Sequence, residues 1–299
     1  MVPPFLSSVM PAIDLHSHSH YSDGSLSPAD LVRLAAERGV RMLALTDHDS
    51  LSGLDEARSA AVVAGIHLVP GVEISALWGK TLVHILGLDV DDGNLTLREC
   101  LRQQASARGV RARRIADRLQ ELGLGDSWPH VLAAADHDPD RVGRTHFARY
   151  LLEAGHVRNL QQAFNRFLGE GKPAAVPIPW VDLQTSIRWI LEAGGVPVLA
   201  HPSRYGISQT KLRLLLQEFR QAGGVGMEVS SGSEKPNVVQ QLGALAIRFD
   251  LLASQGSDYH GAHMPWLRLG VFPDLPKACR PVWDRFRSPG VRDICPETA

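Results

Sequence analysis

The chain has 299 residues, 44% hydrophobic and 21% charged, enough for one barrel-sized domain or two ordinary ones. A formal net charge of -1 excludes a broad basic surface for nonspecific nucleic-acid binding, and no stretch approaches membrane-spanning length. Cys100, Cys279 and Cys295 lie far apart without any C-x-x-C, so neither a disulfide framework nor a cysteine zinc site is indicated.

Met1 to Ala12 has no basic n-region and no sustained apolar run, which makes the cytoplasm the expected compartment, with no membrane association and no obligate protein partner evident. Ala12-Ile13 then leads into Asp14-Leu15-His16-Ser17-His18-Ser19-His20-Tyr21-Ser22-Asp23-Gly24. Alternate residues of an extended segment share a face, so His16 and His18 can converge on one metal ion. Ser27-Pro28-Ala29-Asp30 opens a helix that Gly39 closes. Arg41 to Leu45 reads as a buried strand ending at Thr46-Asp47-His48-Asp49, Leu54 to Ala64 as a helix, and Ile66 to Val72 as a strand leading to Glu73. The apolar run Leu82 to Leu88 carries one histidine, His84. Strands apolar on both faces, alternating with helices, predict a mainly parallel α/β sheet or barrel.

From 96 to 180 the pattern gives helices and no convincing strand. Thr96 to Gly123 is an arginine-rich helix, with shorter pieces at Trp128 to Ala135, Thr145 to Ala154 and Leu160 to Leu168. The expected organisation is a barrel over 12–95, a helical insertion over 96–180 that caps the substrate, and the rest of the barrel over 181–299. Alternation resumes with a helix capped by Asp182, a strand Val196 to Ala200 running into His201, a helix Lys211 to Ala222, a strand Gly226 to Val229 containing Glu228, a helix Asn237 to Phe249, and a strand ending at Gly256-Ser257-Asp258-Tyr259-His260.

Polar residues that interrupt the apolar runs recur at the C-terminal ends of predicted strands, where a parallel barrel builds its active site. The set Asp14, His16, His18, Asp47, His48, Glu73, His201, Glu228, Asp258 and His260, with His84, is rich in His and carboxylate and lacks Cys, which suits Mn²⁺, Zn²⁺ or Fe²⁺. About nine ligands exceed the needs of one ion, so two or three ions sharing a carboxylate are expected, an arrangement that hydrolyses phosphate esters.

Asp14-Leu-His16-Ser-His18, Ser22-Asp23-Gly24, Leu45-Thr-Asp47-His48-Asp49, Gly71-Val-Glu73, Val83-His84, Ala200-His201-Pro202 and Gly256-Ser-Asp258-Tyr-His260 together resemble the PHP (polymerase and histidinol phosphatase) metallophosphoesterase family. The resemblance covers Ile13 to about Leu269. Arg144-Thr145-His146-Phe147-Ala148-Arg149 and Gly171-Lys172-Pro173 resemble its 3′,5′-nucleotide bisphosphate phosphatase/RNase AM subgroup. What the resemblance implies is a distorted (β/α)₇ barrel and a trinuclear centre, usually with manganese. It puts His16, His18, Glu73 and Asp258 on one ion, with Glu73 bridging to a second held by His84 and His201. A third ion takes Asp23, His48 and His260; many members have histidine where Asp23 stands, so this position is more carboxylate in character. Asp14 and Asp47 are expected behind the ligands, Asp47 orienting an imidazole. His20 and Asp49 receive no role.

The implied activity is removal of the 3′-phosphate of a 3′,5′-bisphosphonucleotide, pAp to AMP, with 5′-to-3′ exonuclease action on short 5′-phosphorylated RNA as an extension, and with Glu73, Asp258 and His201 as the catalytic residues. The alternatives are a histidinol-phosphate-type phosphatase, an amidohydrolase, or a non-catalytic nucleic-acid-binding PHP module. Five lysines, none convincingly mid-barrel, argue against the amidohydrolase. Residues 96–180 hold twelve Arg and one Lys against nine acids, a net of +4. Most arginines of the long helix are expected on a solvated face. Arg144, His146 and Arg149, at a helix start after Val142-Gly143, are the candidate readers of the uncut phosphate, with Lys172 and Arg204 as further candidates.

Overall fold

The computed structural model describes residues 13–288; the opening stretch Met1 to Ala12, read above as leader-free, and Cys295 lie outside the described residues. Eight strands form one sheet: β1 (Ile13–Asp14), β2 (Met42–Leu45), β3 (His67–Trp78), β4 (Thr81–Leu88), β5 (Val181–Asp182), β6 (Val196–Leu199), β7 (Gly226–Ser231) and β8 (Leu252–Gly256). The order is β1-β2-β3-β4-β6-β7-β8, with β5 beside β3. The Leu15 N–H donates to the Gln255 carbonyl at 3.1 Å and the Asp258 N–H to that of His16 at 2.9 Å, so the seven-stranded path nearly closes into a barrel.

Period-two patterning explains the layers. In β2, Met42 and Ala44 face the cluster of Leu15, Val69, Leu86, Val198 and Ala200, whereas Leu43 and Leu45 face α1 (Pro28–Glu37) and α2 (Leu54–Ala64). A third cluster packs β3, β4, β6 and β7 against α7 (Leu183–Glu192), α8 (Gln209–Gln221) and α9 (Pro236–Arg248). The helix start read at Ser27 is observed: its hydroxyl accepts the Asp30 N–H, and Pro28 occupies the first turn.

One local departure from the parallel expectation matters for the site. β4 runs antiparallel to both β3 and β6, while the other ladders are parallel. Only Gly79 and Lys80 separate β3 from β4, with Gly79 at φ +60°, and a parallel return needs a crossover of a dozen residues or more. β3 is therefore a long hairpin arm, and Glu73 sits in its middle rather than at a strand end.

After β4 come α3 (Leu95–Glu121), α4 (Trp128–Ala133), α5 (Arg144–Glu153) and α6 (Leu160–Ala163). The first turns of α3 bury Leu97 and Leu101 in the barrel's outer cluster. Its later turns bury Ala112, Ile115 and Leu119 with Val131, Phe147, Leu151 and Leu168 in a cluster of their own. Among the described residues no helix is long and apolar enough to cross a membrane.

Candidate metal centre and arginine-lined cavity

The barrel end nearest β1 is built by close backbone approaches. A Cβ on Gly256 would lie 2.5 Å from that of His16, so β8 can pass His16 only as glycine. His201 (φ +25°), Asp258 (φ +54°) and Asp49 (φ +51°) all occupy the left-handed region at this end, each costing about 1–3 kcal/mol that the surrounding packing sustains. The Tyr205 hydroxyl ties two chain segments there, donating to the Ala200 carbonyl at 2.6 Å and accepting the His84 N–H at 3.1 Å.

Nine His and carboxylate side chains converge. His16 Nε2 and His18 Nε2 lie 3.0 Å apart. Each is 3.3 Å from Asp258 Oδ1, and they stand 3.4 and 3.3 Å from Glu73 Oε2. His84 Nδ1 and His201 Nε2 are both 3.0 Å from Glu73 Oε1, and His48 Nδ1 is 3.0 Å from Oε2. Asp23 Oδ1 is 3.2 Å from His260 Nε2 and 3.9 Å from His48 Nε2.

The donor chemistry fits divalent ions. Asp23 Oδ1, His48 Nδ1, His84 Nδ1 and His201 Nδ1 are buried and have no hydrogen-bond partner, although three of them lie within 3.2 Å of an opposite donor or acceptor. Edges of about 3 Å between atoms that do not bond one another are what ligands on one ion about 2.1 Å away present. Among the described residues, four groupings bring one donor atom from each member within 4.8 Å of the others: His18 with Asp23, His48 and His260; His16 with Glu73 and His201; His16 with His18 and Asp258; and His48 with Glu73 and His84. Burial works against ionised carboxylates, yet the histidines around them hold Glu73, Asp258 and Asp23 well below the usual carboxylate range. Burial, with His260 beside it, pushes His18 down to about 3, which keeps its lone pair free.

The residues behind the cluster differ in part from the sequence reading. Glu228, in β7, accepts from His16 Nδ1 at 2.9 Å and from the His201 backbone N–H at 2.6 Å, so it is the carboxylate that orients an imidazole. Asp47 does not touch a ring. It accepts from the Ser19 N–H and hydroxyl and the Ser22 hydroxyl at 2.6–2.8 Å, fixing the loop between His18 and Asp23. Asp14 accepts backbone N–H groups of Ser257 and Gly270, both at 2.8 Å, and so positions the Asp258 turn. His20 lies apart, 3.4 Å from Asp136.

A cavity of about 580 Å³ opens over the cluster, lined by Asp23, His48, Glu73, His84, His201, Asp258 and His260 on one side and by arginines on the other. Arg144 and Arg204 are present, Arg204 paired with Asp258. Arg108 and Arg111 of α3 also line it and were missed, because the sequence reading gave that helix a solvated face. Asp49 supplies the reason for Arg108: it accepts from Arg108, the Ser75 N–H (2.9 Å) and Gln104 (3.2 Å), pinning the helix to the barrel. Burial, then the neighbouring Arg144 and Arg108, pushes the Arg111 guanidinium down to about 9. The Nε atoms of Arg108 and Arg111 are buried without a partner. Crowded cations, of which Arg108 is already paired with Asp49, beside a carboxylate-rich centre make a ready anion site.

The other expected anion readers do not line this cavity. His146 caps α5, its Nδ1 accepting the Gly143 N–H at 3.0 Å, because the helix consumes that nitrogen itself. Arg149 donates to the Asp23 carbonyl at 2.7 Å and approaches His263 at 2.8 Å. Lys172 is exposed in the turn after Gly169 and remains outside. Thr145 was not anticipated; its hydroxyl donates to Asp23 Oδ2 at 2.9 Å and leaves Oδ1 toward His260.

Residues 14–126 match the family model of the PHP domain. The chain is 40% identical over 274 residues to the 3′,5′-nucleoside bisphosphate phosphatase of Chromobacterium violaceum, across 92% of this chain and 96% of that protein. This chain belongs to the PHP domain family. It is also 42% identical to a 5′-3′ exoribonuclease of Haemophilus influenzae, over 91% of this chain and 98% of that one. A solved structure described as a Chromobacterium violaceum amidohydrolase with bound sulfate and no metal matches with TM-score 0.87 at 40% identity, covering 91% of this chain and 95% of that one. The strand-end motifs on which the PHP resemblance was read are those that meet around Glu73.

Proposed function

We propose that this PHP chain is a metal-dependent phosphoesterase that removes the 3′-phosphate of 3′,5′-bisphosphonucleotides, converting pAp to AMP. One observation carries the reading: seven of the nine convergent His and carboxylate side chains line one cavity together with the half-buried Arg108, Arg111 and Arg144, and His16 and His18 complete the cluster behind it. One half of that cavity suits a phosphoryl group being cut, the other a phosphate being held. Two or three divalent ions, with manganese the expected metal, would be held by His16, His18, Glu73 and Asp258, by Glu73, His84 and His201, and by Asp23, His48 and His260. Bound there, they supply an activated water and neutralise the phosphoryl oxygens of an in-line displacement.

The side chains do the rest. Arg108, Arg111 and Arg144 hold the 5′-phosphate and fix the ribose so that its 3′-phosphate meets Glu73 and Asp258. Asp258, kept ionised against the effect of burial by His16 and Arg204, would take the proton of the attacking water and pass it to the leaving 3′-oxygen, while His201 serves the reaction as a ligand beside Glu73. Likeness to an exoribonuclease supports a second substrate, the 3′ ester of the first nucleotide of a 5′-phosphorylated RNA. Nucleotide and RNA substrates support a cytoplasmic location. None of the five lysines lines the cavity, so a carboxylated-lysine amidohydrolase site has no residue here.

The deciding experiment is metal analysis of the purified protein with turnover on pAp, histidinol phosphate, an N-acyl amino acid and a 5′-phosphorylated oligoribonucleotide. Bound metal with preference for pAp or the oligonucleotide is the expected result. Full activity of metal-free protein, or preference for either of the other two substrates, defeats it.

A further inference from the structure

A second cavity of about 350 Å³ shares Asp23, His48 and Arg108 with the first as a common wall and is otherwise built from different segments: the Tyr21–Ser22 loop, the 49–55 loop, one face of α3, and residues 138–141. The metal centre therefore borders two chambers. A phosphomonoester needs only one of them, because its scissile phosphorus carries no organic group beyond the leaving 3′-oxygen. A diester carries another nucleotide on that phosphorus, and that nucleotide must leave the centre through a separate opening.

The second chamber has the chemistry for it. Arg141 lies over the Tyr21 ring at 4.2 Å, with its edges held by Asp136 and Asp138 at 3.2 Å each. One face of the guanidinium is thus spent on tyrosine and its rim on carboxylates, leaving a rigid, flat second face, a platform on which nucleobases stack regardless of sequence. Leu51, Leu101 and Ala105 add apolar wall. In the second chamber Asp55, Asp138 and Asp140 oppose Arg98 and Arg102, whose guanidinium groups are spent on the Asp92 carbonyl and on Glu99, whereas Arg108, Arg111 and Arg144 in the first chamber attract a terminal phosphate. The two chambers so impose a direction, with the 5′-phosphate among the arginines and the following nucleotide on Arg141.

We infer that the second chamber receives the nucleotide 3′ to the scissile phosphate of a single-stranded RNA, stacked on the Arg141–Tyr21 platform. This rests on the phosphoesterase reading above. In the step, the water oxygen forms the new bond to phosphorus and the bond from phosphorus to the 3′-oxygen of the first nucleotide breaks. A water proton ends on that 3′-oxygen, and the phosphate stays on the downstream nucleotide as its new 5′-phosphate. The shortened RNA then carries the group that the arginines hold.

The test compares pAp with the dinucleotide pApA on metal-loaded wild type, Arg141→Lys and Ala105→Trp. Arg141→Lys keeps the charge and loses the plane; Ala105→Trp fills the chamber from α3. Both variants are expected to lose tenfold or more in kcat/KM on pApA, chiefly through KM, while pAp turnover stays within twofold and the melting temperature holds. Equal losses on both substrates in both variants, or undiminished pApA turnover in Ala105→Trp, overturn the inference. Wild type that cleaves pAp but not pApA overturns it while leaving the phosphatase reading intact. Wild type that cleaves neither removes both.

Discussion

Single residues divide here into those that hold the reacting end of a substrate and those that hold its other end. Arg144 belongs to the second kind: it lines the cavity, is half-buried, and is pushed below its ordinary pKa by burial and by Arg108. Arg144→Ala is expected to lower kcat/KM for pAp about ten- to a hundredfold, from a charge-assisted bond of about 1.5–3 kcal/mol, while bound metal and hydrolysis of a simple aryl phosphate stay nearly unchanged. Equal losses on both substrates would assign Arg144 to the fold. Arg111 allows a stability test, since the free protein crowds its charge against Arg144 and Arg108. Arg111→Met should raise the melting temperature of the metal-free protein and shrink the stabilisation by inorganic phosphate, both read in one thermal titration. A melting temperature that falls, with the phosphate response intact, would count against an anion role. The sequence placed Glu228 among the strand-end polar residues without its partner, and Arg111 did not announce itself at all. Glu228 stands within a strand and meets a histidine 212 positions away, and Arg111 is one of seven arginines on a helix whose inward face is set by packing.

Elements were legible where local chemistry decides them and opaque where a return path does. The proline and serine at the start of α1, Asp182 before α7 and the i, i+2 spacing of His16 and His18 act within a few residues, and the structure has them as read. The β3–β4 hairpin was missed because strands apolar on both faces were read as mainly parallel. Its consequence is useful, for antiparallel pairing sets Ser75 opposite His84 and brings Glu73 and His84 within 3.0 Å from one hairpin. α5 supplies a pH-dependent prediction. Burial pushes His146 down to about 4, and its neutral Nδ1 is the acceptor that caps the helix. A histidine depressed in the fold contributes stability that is present above about 6.5 and lost as pH falls toward 4. Urea midpoints of wild type and His146→Gln should therefore differ at pH 7.5 and converge near pH 4.5; a constant difference would remove His146 from the acid response. In the same segment, Phe147→Ala should cost about 3–5 kcal/mol, since that ring is fully buried in the helical cluster.

At the scale of the whole molecule, the convergent ligands make metal and fold interdependent. Saturating divalent metal should raise stability by about 2.7 kcal/mol at a hundred times its dissociation constant, and chelation should reverse both that gain and turnover. A melting curve indifferent to metal would contradict the proposed ligand set. The centre is also stretched along the chain: His16 and His18 come from the segment just after the first strand, Asp258 and His260 from the turn after the last, and the barrel nearly closes where those two strands meet. During synthesis the first histidines emerge long before the carboxylate that shares an ion with them. A growing chain can thus complete the Glu73, His84 and His201 set first, but the ions that take Asp258 and His260 must wait for β8. Because nearly the entire polypeptide is translated before the full centre can be held, a product of translation interrupted before β8 lacks two of the proposed ion sets, and the order of the strands acts as a check on completeness.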